Sequence, residues 1–375
     1  MNPMSEILKM KSARVLASAA VAVGVLAGVT SASAFEDDGR PYLEFAKKKE
    51  GHGKFAAPTT LNEYNYWAKK TIDDYLDSMD KRANATGNRE SVSNQQCSAY
   101  HETYTRDRVI DLRYALGYFD DSRGETIEFA GYDWGMGASS DEGVWIAIRE
   151  VLKAPCSSGN RRLCGFTELT PEADRARNGL TVLSREMEVQ GRQVEVRFSL
   201  TYASASPFYK RNLGELRSKQ ERFTRTSEEN FFEGIRTADY AFYMGHARNG
   251  GGPDFNPPRL TSAMKPDYYG YYRKQFPGLN RMLKEVRSSG NKDVTLGIFS
   301  CDAKLHFHRR LEANNKGQKM ILTLGGEGML HYMDTLMVSL GYIEGLLRGS
   351  CGTQLDDFAR VTPRERAAYQ QYNVK

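Results

Sequence analysis

The sequence predicts an α/β fold in its C-terminal half, a mainly parallel sheet with helices on both faces, preceded by a helix and a β-hairpin region. Three observations carry this expectation. Short apolar blocks recur after residue 226, "DYAFYMG", "DVTLGIFS" and "KMILTLGG", and each reads as a buried strand. Segments of helical period separate them, and strands joined by helical crossovers form parallel sheets covered on both faces. Upstream, "LTVLSREMEV" and "RQVEVRFSLTYAS" alternate apolar and polar residues on either side of "QG", the pattern of a β-hairpin.

Taken in order, residues 1–34 read as a secretory signal peptide: Lys9, Lys11 and Arg14 precede an apolar run that ends in "SASA" before Phe35. The run from Val15 to Val29 is shorter than the ~18 to 20 residues a membrane span needs. An exported protein, periplasmic or secreted, is therefore expected, with no stable membrane span after signal removal. Residues 35–95 form a polar N-terminal segment that would suit a prosegment. Its one helix, "TLNEYNYWAKKTIDDYLDSMDKRA", starts after a Thr60 cap and spaces Leu61, Tyr64, Trp67, Ile72, Tyr75 and Met79 helically. The polar "NATGNRESVSNQQ" that follows reads as a loop.

Residues 96–225 form a strand-rich region containing the hairpin; "ETIEFAGYDW" is a further strand candidate, and "GVWIAIREVL" is open between helix and strand. Residues 226–375 form the α/β domain. It begins with a capping box, Thr226 with Glu229, at the head of "TSEENFFEGIR". Helices over "PGLNRMLKEVRSSG", "KLHFHRRLEANNKG" and "GMLHYMDTLMVSLGYIEGLLRG" then alternate with the three strands.

Composition bounds the function. Signal removal leaves 49 basic and 46 acidic residues, a net +3. So balanced a surface lacks the basic clustering that a nucleic-acid partner requires. Five cysteines in an exported chain are an odd set. Cys156 and Cys164 flank a polar loop and read as one disulfide, Cys97 and Cys351 most simply form a second, and Cys301 is left over.

His246 follows the strand "DYAFYMG", and Cys301 follows "DVTLGIFS". In a parallel sheet both emerge at the carboxyl edge, where ligands of α/β folds bind. A thiol nucleophile needs a base beside it, and a helix N-terminus favours the thiolate. An apolar strand ending in a glycine-flanked histidine, then one ending in a small residue and cysteine, resembles the caspase, gingipain and clostripain superfamily of cysteine peptidases. The resemblance covers about residues 226–348. It implies His246 as general acid and base, Cys301 as nucleophile, and the backbone N–H groups of Ala247 and Cys301 as the oxyanion hole. Two positions depart from the superfamily pattern: Ala247 stands where glycine usually follows the histidine, and Ser300 where alanine usually precedes the cysteine.

The resemblance implies a peptide or protein substrate and no cofactor. Gly250 and Gly251 would let a substrate approach the backbone, and Asp254 or Glu327 would suit a basic side chain at the cleavage position. Arg248 and Arg259 would instead suit an acidic group, so specificity stays open, as does oligomeric state. In "CDAKLHFH", Cys301, His306 and His308 compete as metal ligands, but residues two or five apart share no α-helical face, so no metal is expected. The alternatives are a non-catalytic exported binding protein on the same scaffold and a cell-wall (peptidoglycan) hydrolase. A glycosidase reading would use Asp133 and Glu142 in loops.

Overall fold

The computed structural model describes residues 61–85, 90–118, 127–129, 132–134, 139–203, 215–256, 259, 261–262, 267–288, 294–315, 320–323, 332–352 and 354–361. The expected signal peptide, residues 1–34, and residues 35–60 lie outside these described residues, as does Glu327. Among the described residues two helices come first, α1 (Leu61–Ala85) and α2 (Glu90–Thr105), then strand β1 (Val109–Leu116). The loop expected before residue 97 is therefore mostly the start of α2. That helix is anchored from its middle onward, where Cys97 is disulfide-bonded to Cys351 and buried His101 places Nε2 2.9 Å from the Ser350 carbonyl. Tertiary anchors outweigh the weak helix propensity of its polar first turns.

A two-stranded ribbon follows, β2 (Ile127–Phe129) antiparallel to β3 (Tyr132–Trp134), and then α3 (Ser139–Lys153), which settles "GVWIAIREVL" as helix. Asp133 thus lies on a strand, and Glu142 in the first turn of a helix, not in loops. Next come β4 (Thr167–Glu168), α4 (Glu172–Asn178), β5 (Thr181–Val189) and β6 (Arg192–Tyr202). Strands β5 and β6 form the expected hairpin. Gln190 and Gly191 both have positive φ, 50° and 74°, as a two-residue type I′ turn requires.

The second half supplies α5 (Glu215–Thr237), β7 (Tyr240–Met244), α6 (Pro277–Ser288), β8 (Thr295–Phe299), α7 (Arg309–Asn315), β9 (Met320–Thr323), α8 (Tyr332–Leu347) and α9 (Gln354–Ala359). Helix α5 begins eleven residues before Thr226, which is therefore interior to the helix and not its cap.

All but the small ribbon joins one seven-stranded sheet, in the order β4-β5-β6-β1-β7-β8-β9. Strands β6, β1, β7, β8 and β9 are mutually parallel, and β4 and β5 extend the sheet antiparallel. The strand-rich region and the C-terminal α/β region are thus parts of one sheet. The hairpin's second strand pairs with β1, and β1 pairs with β7, so no sheet boundary falls at residue 226.

Two apolar cores lie on opposite faces. On one, α1, α3 and α8 cover Tyr114, Phe198, Phe242, Met244 and Phe299. On the other, α5, α6 and α7 cover Ala241, Tyr243, Leu296 and Ile298. The next described helix after β1, α3, packs on the first face, and the next long helix after β7, α6, packs on the second. This divergence makes the carboxyl ends of β1 and β7 a topological switch point, where α/β sheets open a crevice. Among the described residues, no helix is long and apolar enough to cross a membrane.

Candidate active site at the carboxyl edge of the sheet

Strands β7 and β8 pair in parallel with Met244 opposite Phe299, and the Gly245 N–H donates to the Phe299 carbonyl at 3.1 Å. Gly245 and Ser300 come next on their strands' exits, and His246 and Cys301 each stand two residues beyond the last pair. Neighbouring strands run about 4.8 Å apart. The two candidate residues therefore follow the last paired residues of adjacent parallel strands by the same two positions, next to the switch point.

Each is partly exposed. Cys301 forms no disulfide, while the other four cysteines pair as expected, Cys97 with Cys351 and Cys156 with Cys164. Cys301 opens a turn whose next residue, Asp302, has φ 50°, and helical structure begins at Ala303. The segment Lys304–His308 is π-helical before α7 continues.

The loop after β7 is strained and internally held. Arg248 and Asn249 adopt left-handed conformations, φ 47° and 52°, which cost a non-glycine residue about 1–2 kcal/mol each. Asn tolerates this region, whereas Arg must be held in it. Its guanidinium is fully buried, with Nε 3.0 Å from Asp254 Oδ2, and Tyr272 donates its hydroxyl to the same oxygen at 2.8 Å. Asp254 is therefore satisfied internally by Arg248 and Tyr272, and its carboxylate does not present itself to a basic substrate side chain. Arg248 is equally engaged, while Arg259 is exposed with its guanidinium 4.5 Å from the Tyr271 ring centroid.

Gly250 and Gly251 also have close neighbours within the chain. A Cβ on Gly250 would sit 3.1 Å from Nδ1 of His306, and one on Gly251 would sit 2.7 Å from the Tyr272 backbone oxygen. These glycines let the loop pack against its neighbours. Ala247 is buried in the second core, which gives its methyl a packing role at the position where the resembling superfamily prefers glycine.

His306 is thereby a neighbour of the site that residue spacing on an ideal α-helix does not place. Burial lowers its pKa, the charges of Arg310 and Arg273 act in the same direction, and Asp302 opposes them. His308 instead pairs with Glu312 one turn on, at 3.0 Å. Among the described residues, no group of three or more His, Cys, Asp or Glu side chains is placed to hold a metal ion.

The residue missed altogether is Tyr243. Its hydroxyl lies 3.0 Å from the His246 carbonyl oxygen and 3.2 Å from that of Asp254, and it accepts the Asp254 N–H at 3.0 Å. Inside the apolar block "DYAFYMG" it reads as a core aromatic, and only its hydroxyl contacts reveal more. Comparison of the chain with family models, with curated proteins and with solved structures finds no match.

Proposed function

We propose that this chain is an exported cysteine peptidase of caspase-like type, with Cys301 as nucleophile and His246 as general acid and base. The observation that carries the reading is that β7 and β8 are adjacent and parallel with Met244 opposite Phe299, and that His246 and Cys301 each follow that last pair by two residues. Two disulfides support an oxidising compartment and hence export. In such a compartment a partly exposed thiol kept out of any disulfide is conspicuous.

The Cys301 thiolate attacks the peptide carbonyl carbon, forming a C–S bond while the carbonyl π pair moves to oxygen. The backbone N–H groups of Cys301 and Ala247 are the candidates to receive that oxyanion. Collapse breaks the C–N bond, and the amine leaves with the proton carried by imidazolium His246. Water then gives His246 a proton and adds to the thioester. The C–S bond breaks, the acid product departs, and thiolate and imidazolium are restored.

Iodoacetamide labelling read by intact-mass and peptide mass spectrometry tests this. The expected result is one adduct, at Cys301, formed faster than on a model thiol at pH 6 and slowed at least about tenfold by His246→Ala. An unreactive Cys301, or one indifferent to His246, removes the proposal.

A further inference from the structure

We infer that Tyr243 is a positioning residue for the dyad: its buried hydroxyl fixes the backbone of His246 and so determines where the imidazole stands relative to Cys301. The inference rests on the peptidase reading and deepens it. Tyr243 lies on the strand that delivers His246, its side chain on the α5/α6 face. Its hydroxyl meets the His246 carbonyl at 3.0 Å and both backbone groups of Asp254, three contacts on one buried atom. It therefore joins the two ends of the loop that follows β7.

The surroundings are shaped to admit this ring. A Cβ on Gly245 would lie 2.3 Å from the Tyr243 hydroxyl, and one on Gly117, at the end of β1, would lie 2.5 Å from its ring. Both positions must be glycine for the ring to occupy this place. The loop after β1 is drawn into the same knot, since the Gly117 N–H donates to Met244 O at 2.7 Å and the Tyr118 N–H to Asp254 O at 3.1 Å. Asp254 is the second anchor. Its backbone holds Tyr243 while its carboxylate holds Arg248 and Tyr272, and the Tyr272 hydroxyl accepts the Arg259 N–H at 3.1 Å. One continuous set of bonds thus runs from the tyrosine-rich segment to the carbonyl of the candidate base. Burial raises the Tyr243 hydroxyl pKa well beyond the physiological range, so it remains a neutral donor. All three of its contacts are to backbone groups, so its effect is on geometry.

The test is the pH dependence of the Cys301 alkylation rate by iodoacetamide, from pH 4.5 to 9, in full-length wild type, His246→Ala, Tyr243→Phe and Tyr272→Phe. Wild type should keep a low-pH plateau from the thiolate–imidazolium pair, and His246→Ala should abolish it. Tyr243→Phe, folded by circular dichroism, should lower the plateau roughly tenfold, because misplacement by a fraction of an ångström weakens a paired site. Tyr272→Phe, which removes the bond to the Asp254 carboxylate together with the acceptor of the Arg259 N–H, should lower it two- to fivefold. A Tyr243→Phe profile superimposable on wild type overturns the positioning role while leaving the dyad intact. A His246→Ala profile superimposable on wild type overturns the dyad, and the inference with it. If Tyr243→Phe does not fold, Tyr272→Phe decides: a wild-type profile there overturns the inference.

Discussion

Glu344 offers the most quantitative test of how this fold is held. It sits on α8 with no exposed surface, and its carboxylate accepts the Arg162 N–H at 2.9 and 3.1 Å, the Leu163 N–H at 2.8 Å and the Arg348 Nε–H at 2.7 Å. The two amides belong to the loop closed by Cys156 and Cys164, whose carbonyls at Arg162 and Cys164 are bound in turn by Arg185 at 2.8 and 2.7 Å. Glu344→Leu keeps the packing volume but removes the acceptor of the Arg162 and Leu163 amides and breaks the ion pair with Arg348. Each stranded amide costs about 1–3 kcal/mol, and breaking a buried charge pair costs about 3–5 kcal/mol. Because these overlap, the expected loss is about 4 kcal/mol or more, a large share of the ~5–15 kcal/mol of a typical domain. Glu344→Gln keeps one acceptor but turns an amino group toward donors, and should cost about 2 kcal/mol. Urea unfolding with disulfides intact, followed by circular dichroism, measures both. The m-values should be unchanged, so that midpoint shifts report stability. A Leu variant losing less than about 1 kcal/mol would refute the reasoning, since an anchor with these four contacts cannot be that weak.

Asp239, just before β7, has a pKa raised to about 7 by burial first and by the charges of Asp111 and Asp107, against the Asp111 N–H it accepts. A folded pKa above the unfolded 3.8 favours the folded state below pH 4 and loses that advantage as pH rises to 7, by up to about 4 kcal/mol. Asp239→Asn should therefore flatten the fall in urea midpoint between pH 4.5 and 8, and an unchanged slope would count against it. The two disulfides close loops of very different length, with sequence separations of 254 and 8. Paired Cys→Ser replacement should cost about 5 kcal/mol for Cys97–Cys351 and about 2.5 kcal/mol for Cys156–Cys164 on chain entropy. The reverse ranking in urea unfolding would show that local anchoring, not loop closure, dominates.

The parts of the fold that could be read from the sequence are those where one local signal suffices. Strands β7 and β8 are buried at every position, so their sequences are unbroken apolar runs. The hairpin turn is legible because Gln190-Gly191 suits two positive φ angles. Strand β1, although central, carries Asp111 and Arg113, which interrupt its apolar pattern. In the fold these two residues pair at 3.0 Å near the start of the strand, and Arg113 also reaches Glu233 of α5. Nothing local announces that pairing, and without β1 the hairpin and the C-terminal strands look like separate regions. The same limit applies at the site. His246 and Cys301 are visible as strand-end residues, but Asp254 looks like a free loop acid until Arg248, six residues away, is found turned back onto it.

Turnover of a quenched-fluorescent peptide library by the purified mature protein, compared with Cys301→Ala and His246→Ala, tests the central claim most directly. The dyad predicts cleavage by wild type that falls by at least about a thousandfold in either variant, with melting temperatures within a few degrees of wild type. Cleavage that survives in Cys301→Ala, or a wild-type protein that cleaves nothing in the library or in denatured protein substrates, would contradict it.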